Sequence, residues 1–146
     1  MAKGYPDFYG FSIFPRYGAV MSDQVVALNV ADDDRVELHA LIGKGRITGG
    51  VLRILGALDF GWLWPEVWVD GVKLTYDMGP NATILNFGRD SRGFPLALKN
   101  YLGKSGTASW DYVNDYVFNE TYSVWCNNES GAIVTVNSNL NYTLMQ

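Results

Sequence analysis

Few residues in this chain have the types and spacing that catalysis or metal binding requires. His39 is the only histidine and Cys126 the only cysteine. A Ser–His–Asp or Cys–His nucleophile system would have to use His39, and a zinc site would need several more His or Cys ligands. His39 lies inside the strand-like run VELHALI, so we expect a hydrogen-bonded strand histidine. We expect Cys126 to pack as a small apolar side chain. We predict no catalytic residues, no metal site and no cofactor.

Two groups of carboxylates are the remaining candidates for chemistry. The first is the acidic run of Asp32, Asp33 and Asp34. Such a run could offer oxygen ligands to a hard cation such as Ca²⁺, although an acidic turn at a strand end has the same composition. The second group is Asp111, Asp115 and Glu120, and paired carboxylates can hydrolyse glycosides. Their spacing carries no specific signal, so a glycoside hydrolase is kept only as a third alternative.

The segment GKGRITGG at residues 43–50 resembles a nucleotide-binding loop in composition. A loop that cradles phosphates leads into the N-terminus of a helix. This segment leads instead into VLRIL, which has the pattern of a strand. We therefore predict a tight turn at residues 43–45, with a bulge or a close backbone approach at Gly49 and Gly50.

Aromatic residues are the best functional lead in the sequence. Trp62, Trp64 and Trp68 fall in FGWLWPEVW, and in an extended segment their rings point to one side. They could form core, a contact between subunits or a platform on which sugar rings stack, because tryptophan anchors many interfaces. The set predicted for sugar stacking is Trp62, Trp64, Trp110 and Tyr112. The last two come from residues 103–114, which we interpret as a long loop.

Short strands separated by turns must position these residues. Strands are predicted at residues 24–30, 36–42, 46–55, 66–69, 72–76, 83–87, 116–126, 132–137 and 140–144. Residues 94–101 fit a strand or a short helical turn. Asp70 and Gly71 predict a type I′ hairpin, and Ser138 and Asn139 predict a final hairpin. The pattern indicates an all-β fold, a single β-sandwich of jelly-roll type.

Charge and hydropathy narrow the possible partners. The formal net charge is −4 and the Lys and Arg residues are scattered, so we expect binding to neither nucleic acid nor anionic membranes. No apolar stretch is long enough to span a bilayer. The start MAKGYPDFYG lacks the apolar run of a signal peptide, so we expect synthesis in a cytoplasm without secretion.

Residues 1–21 differ from the sandwich domain predicted over residues 22–146. Proline and glycine interrupt this aromatic segment too often for a regular element. We interpret it as an arm that lies either on its own domain or on a neighbouring subunit. The residues predicted to contact an oligomer partner are Tyr5, Phe8, Tyr9, Phe11, Phe14, Tyr17, Trp62 and Trp64.

The order of YPDFYGFSIFPRYG, LIGKGRITGGVLRI, VWVDGVKL and ETYSVWCNNESGAIVTVNSNLNYTL resembles a known group. It is similar to the small β-sandwich virion accessory proteins of tailed bacteriophages, which decorate heads or build fibres and tail parts. The resemblance spans most of residues 36–146 and implies no catalytic residues. It implies a homo-oligomer, a trimer or another closed ring, that docks on other virion proteins. We therefore expect a non-enzymatic structural protein of a virion, with a carbohydrate-binding module as the alternative.

Overall fold

A computed structural model describes residues 17–56, 63–74, 95–101 and 106–145. Within these ranges the chain forms ten β-strands and no helix. The strands are β1 (Met21–Val30), β2 (Asp34–Ile42), β3 (Gly45–Leu55), β4 (Leu63–Val69), β5 (Val72–Lys73), β6 (Leu96–Tyr101), β7 (Thr107–Tyr112), β8 (Tyr116–Phe118), β9 (Thr121–Asn128) and β10 (Val134–Leu144). A search of the same ranges finds no helix with the length and apolarity needed to cross a membrane.

The strands form two antiparallel sheets that pack face to face. The six-stranded sheet has the order β1-β10-β3-β7-β6, and β8 pairs with the other end of β3. The four-stranded sheet has the order β2-β9-β4-β5. This arrangement confirms the predicted all-β sandwich. The jelly-roll connectivity stays a prediction.

Alternating side chains of both sheets fill the space between them. Trp110, Tyr122 and Phe118 are the largest of the fully buried side chains, and Val, Leu and Ile supply most of the remainder. Complete burial of such a side chain contributes about 1.5–3 kcal/mol before the entropy of folding is subtracted. Cys126 belongs to this core and is buried, as predicted.

The final hairpin predicted at Ser138 and Asn139 is wrong, because β10 runs unbroken through both residues. Ser138 pairs with Val25 of β1 on one side and with Leu52 of β3 on the other. The strand is central in its sheet, with apolar residues facing the core and asparagines facing outward. Asparagine is common in turns, so these outward residues resemble a turn in composition although they belong to a strand.

The loop predicted at residues 103–114 is also wrong. Residues Thr107–Tyr112 form β7, which pairs with β3 and β6 and is mostly buried. Residues 94–101 supply the strand β6 rather than a helical turn. The strand predicted at 116–126 divides into β8 and β9 around Asn119 and Glu120.

A bulge in β2 reverses the face expected for its second half. Strict alternation predicts that Val36, Leu38, Ala40 and Ile42 share one face. The register with β9 shifts between Glu37 and His39, so that Leu38 is an extra residue. Beyond the bulge, His39 and Leu41 are buried while Ala40 and Ile42 are exposed.

The turns predicted from glycine are confirmed. Residues 43–45 connect β2 to β3. Asp70 and Gly71 have φ angles of 52° and 78°, the positive values that a type I′ hairpin requires. The Asp70 carboxylate also accepts hydrogen bonds from the backbone N–H groups of Asn119, Glu120 and Thr121.

Gly50 makes the predicted close approach to a neighbouring strand. An added Cβ would lie 2.0 Å from the carbonyl oxygen of Asn139. Close to Gly50, the register between β3 and β10 shifts between the pairs that contain Asn141 and Tyr142. This irregularity matches the predicted bulge.

Several predictions lie outside the described residues. These are the strand at 83–87, the side chain of Trp62 and the arm residues Tyr5, Phe8, Tyr9, Phe11 and Phe14. Tyr17 is described: it forms a β-bridge with Met145, and its ring lies 4.7 Å from the guanidinium carbon of Arg46.

Candidate functional site

A chain of four polar side chains crosses the interior of the sandwich. His39 Nδ1 lies 2.6 Å from Oδ2 of Asp23, and its Nε2 lies 2.7 Å from Oγ of Ser138. The same Oγ lies 2.6 Å from the hydroxyl of Tyr112. These residues come from β1, β2, β10 and β7, so the chain of hydrogen bonds links the two sheets.

One assignment of protons satisfies every member of this network. The Asp23 carboxylate only accepts, so Nδ1–H of His39 donates to it and Nε2 becomes an acceptor. The Ser138 hydroxyl then donates to Nε2 and accepts from the Tyr112 hydroxyl. Burial lowers the pKa of His39, although Asp23 has the opposing effect. The lowered pKa keeps the imidazole neutral. Burial likewise raises the pKa of Tyr112 and keeps its proton in place.

The distances resemble those of a Ser–His–Asp triad, but the setting differs. A nucleophilic serine must meet a substrate carbonyl beside donors for the oxyanion. Ser138 is 4% exposed, faces the core and already accepts a bond from Tyr112. The network therefore suits structural pairing of the two sheets, and His39 is a hydrogen-bonded strand histidine, as predicted.

The outer face of the four-stranded sheet carries the second polar cluster, centred on Glu66. In the strand register Glu66 of β4 lies beside Trp125 of β9, and Trp68 lies beside Ser123. Glu66 is buried although it sits on an outer face. Its carboxylate accepts from Arg35 and from the indole N–H of Trp68. Trp68 is held in place by that bond.

Two further groups complete the surroundings of Glu66. Asn127 Nδ2 donates at 2.8 Å, and Lys73 Nζ lies 3.6 Å from the carboxylate. Burial alone would raise the pKa of Glu66. The hydrogen bonds from Arg35, Trp68 and Asn127 and the charge of Lys73 outweigh it and lower the pKa to about 2. Glu66 is therefore a permanent anion at physiological pH.

A cleft of about 470 Å³ opens beside this cluster, and we call it the tryptophan cleft. It is lined by Arg35, Glu37, Ala40, Leu41, Ile42, Trp68, Gly71, Thr121, Ser123 and Trp125. The Arg35 guanidinium stacks 3.9 Å from the centroid of the Trp125 ring, and Trp125 Nε1 donates to Ser123 Oγ at 3.3 Å. Both tryptophans are half-buried, so each keeps part of its ring at the surface.

The structure places the predicted aromatic residues differently from one another. Trp110 and Tyr112 are buried in the core between the sheets, because β7 turns both inward. They cannot present ring faces to a sugar in this fold, which corrects the prediction for these two. Trp64 lies on the outer face of β4 but is only 7% exposed, so it has little surface left for a partner or a sugar.

Sequence reasoning missed Trp125 and Arg35 as site residues. The signal was present, since TYSVWCNN places Ser123 and Trp125 on one face of a strand. Pairing of β9 with β4 brings Trp125 beside Glu66, and that pairing is not visible in the sequence.

Three of the predicted carboxylates, Asp32, Asp111 and Asp115, have structural partners. Asp32 Oδ1 accepts from the backbone N–H of Gly131 at 2.8 Å. Asp115 lies 3.4 Å from Arg46, and Asp111 lies 3.8 Å from Lys99. Among residues 17–56, 63–74, 95–101 and 106–145, no group of three or more His, Cys, Asp or Glu residues is placed to hold a metal ion.

An apolar strip lies at the edge of the six-stranded sheet. β1 ends that sheet in the described part of the chain. Val20, Met21 and Val26 at this edge are 66%, 47% and 75% exposed. A shallow hollow of about 280 Å³ adjoins Val26 and is lined also by Val51 and Arg53. We call the three exposed residues the β1 strip.

The fold defines the chain as a two-sheet antiparallel β-sandwich. No known protein family matches it, and no curated protein matches its sequence. Among solved structures it is similar to a crystal structure of FlhE, with 11% sequence identity over 88% of this chain and 96% of that chain. The TM-score is 0.38, and a likeness this distant carries no argument about function.

Proposed function

We propose that this protein is a non-enzymatic structural subunit of a virus particle that associates with copies of itself and docks on other virion proteins. The observation that carries the proposal is the β1 strip, which places exposed apolar side chains at the edge of the β-sandwich. Exposed apolar residues grouped at one place mark contact surfaces. The resemblance of the sequence to virion accessory proteins of tailed bacteriophages gives this contact its biological setting.

The contact proposed here uses side chains rather than continuation of the sheet. Edge strands are protected from adding further strands by bulges and by charges that point inward. β1 has both, because its register shifts between Val25 and Leu28 and because Asp23 reaches the buried His39. Val20 and Met21 lie before this interruption and Val26 lies within it, and all three side chains remain exposed.

The β1 strip is too small to hold an oligomer together on its own. A stable interface buries about 800 Å² on each partner, and association itself costs several kcal/mol or more. The proposal therefore includes the aromatic arm that precedes β1. Its predicted contact residues, Tyr5, Phe8, Tyr9, Phe11 and Phe14, lie outside the described residues and enter here only through the sequence.

Light scattering coupled to size-exclusion chromatography tests self-association. We expect the full chain to elute at a fixed multiple of its monomer mass over a range of concentrations. Val26→Asp should shift the population toward the monomer, because it places a charge in the apolar contact. Val72→Asp is the matched control, since Val72 is also an exposed valine but lies on β5 of the opposite sheet. A wild-type chain that stays monomeric at every concentration contradicts the proposal.

Mass spectrometry of purified particles tests the setting. We expect the chain in virions from the virus that encodes it, at a copy number that is a multiple of the oligomer size. Its absence from such particles would overturn the virion role while leaving self-association intact.

A further inference from the structure

The tryptophan cleft has a feature that assembly through β1 does not require: its aromatic rings are fixed before any partner arrives. The indole N–H of Trp68 is bound by Glu66, and that of Trp125 by Ser123. Glu66 is itself held by Arg35 and Asn127. Rings that are already ordered lose little conformational entropy on binding, so such a surface favours a ligand.

The charged side chains in the lining of the cleft are Arg35 and Glu37, which are opposite in sign. Behind them, the buried Glu66 is paired with Arg35 and Lys73. Within the described residues Glu37 has no ion-pair partner, and it lies opposite Trp125 in the β2–β9 register. A ligand with a net charge would gain little binding energy from charges that balance each other. A neutral ligand with both hydrogen-bond donors and acceptors would pair with the groups of either sign.

The polar groups of the cleft can exchange hydrogen bonds in both directions. Arg35 has guanidinium N–H groups besides the one bound to Glu66, and it is 43% exposed. The Glu37 carboxylate only accepts, and the hydroxyls of Ser123 and Thr121 can donate or accept. The apolar part of the lining consists of Ala40, Leu41, Ile42 and the two tryptophans. This mixture matches a ring with one C–H face and several hydroxyls.

We propose that the tryptophan cleft is a binding site for a neutral saccharide, with a pyranose ring packed against Trp68 beside the stacked pair of Arg35 and Trp125. Glu37 accepts from a sugar hydroxyl and Arg35 donates to another. Ligand sites commonly have volumes of about 300–1,000 Å³. The cleft, at about 470 Å³, therefore accommodates a short oligosaccharide.

This site is distinct from the four residues that the sequence predicts for sugar stacking, two of which are core. It also lies on the sheet opposite to the one that carries the β1 strip. Binding and self-association can therefore be measured independently on the same protein. Failure of one leaves the other standing.

Isothermal titration calorimetry with a panel of neutral tetrasaccharides tests the site. The panel contains β-linked glucose, N-acetylglucosamine, mannose, galactose and xylose oligomers. We expect at least one to bind the wild-type chain. Trp68→Ala should weaken it about tenfold through lost stacking. Glu37→Gln should weaken it about fivefold through a weaker hydrogen bond.

Arg53→Gln is the control, because Arg53 is exposed on the other sheet and should leave affinity unchanged. Trp68→Ala also removes a partner of buried Glu66, so its fold is checked by circular dichroism. Glu37→Gln is an exposed change that keeps the test informative if Trp68→Ala does not fold.

Three outcomes would overturn the proposal. One is that no member of the panel binds. Another is that both cleft variants bind as tightly as wild type. The last is that tetramethylammonium or sulfate, the cationic and anionic probes, binds the cleft while the saccharides do not.

Discussion

Nε2 of His39 and Oγ of Ser138 lie 2.7 Å apart, although 99 residues separate them in the chain. The bond joins β2 of one sheet to β10 of the other. Asp23 extends it to the sandwich edge, and Tyr112 extends it into the core. A continuous polar path therefore crosses an otherwise apolar interior. A single assignment of protons satisfies all of its hydrogen bonds.

Acidification should destabilise the fold through His39. Its pKa in the folded state is below the ordinary value of 6.5, because burial disfavours the imidazolium. Between the two pKa values the unfolded chain binds one more proton than the folded chain, so the free energy of unfolding falls as pH drops below about 6.5. The fall stops once pH passes the lowered pKa. Urea denaturation at a series of pH values measures it.

A His39→Gln variant serves as the control for that experiment. It should lose the pH dependence in this window while keeping hydrogen-bonding capacity at the site. The buried neighbours Tyr112 and Cys126 have raised pKa values and stay protonated there. Identical pH profiles for the two proteins would show that His39 does not titrate as described.

Glu66→Gln should reduce stability by about 2 kcal/mol at neutral pH. The carboxylate pairs with Arg35 and Lys73, and breaking a largely buried ion pair is costly. Arg35 is 43% exposed, so solvent screening reduces the effect below the full value that the lowered pKa implies. Chemical denaturation measures the difference.

The same difference should shrink with acid. The pKa of Glu66 is lowered to about 2 from an ordinary 4.5, so its contribution is complete above 4.5 and is lost as pH falls toward 2. Glu37→Gln is the matched control, because Glu37 is an exposed glutamate on the same sheet face. A difference between Glu66→Gln and wild type that is constant from pH 7 to pH 2 would refute the ion-pair explanation.

Gly50→Ala should prevent stable folding, whereas Gly49→Ala should be tolerated with a moderate loss. Both glycines have positive φ in a region that is essentially restricted to glycine, so each alanine costs about 1–3 kcal/mol in backbone strain. Only at Gly50 would the new methyl also collide with the Asn139 carbonyl, at 2.0 Å. At Gly49 nothing lies within 4 Å of the added carbon. Thermal unfolding of the pair isolates the collision, and equal melting temperatures would contradict it.

The Cys126 thiol should be unreactive toward thiol reagents in the native protein. It is fully buried, and burial raises its pKa to about 12, so little thiolate exists at neutral pH. Ellman's reagent should titrate no thiol in buffer and one per chain in guanidinium chloride. Rapid labelling without denaturant would mean that the core opens far more readily than its packing indicates.

The predictions that succeeded depend on the properties of residues that are close together in the sequence. Asp70 and Gly71 specify their turn because few other residues accept positive φ, and residues 43–45 do so for a similar reason. The existence of β1, β2 and β3 follows from apolar, β-branched runs bounded by turn residues. These features depend on neighbours in sequence, so they can be read from it.

The errors arose where distant partners decide the outcome. Ser138 and Asn139 look like a turn but are held in a strand by β1 and β3 on both sides. Leu38 is an extra residue only relative to β9. Trp110 was expected at the surface because its segment looks polar, and pairing with β3 buries it. The partners of His39 and Glu66 also come from remote strands.

The central position of β10 has a consequence for biosynthesis. β10 follows the nine other strands of the described residues in chain order, yet it lies between β1 and β3 and joins them. β1 therefore leaves the ribosome before β10, the strand with which it pairs. This pairing can form only after translation has passed Leu144. Chains that stall before this point would expose two unmatched strand borders, which makes nascent fragments of this protein substrates for chaperones.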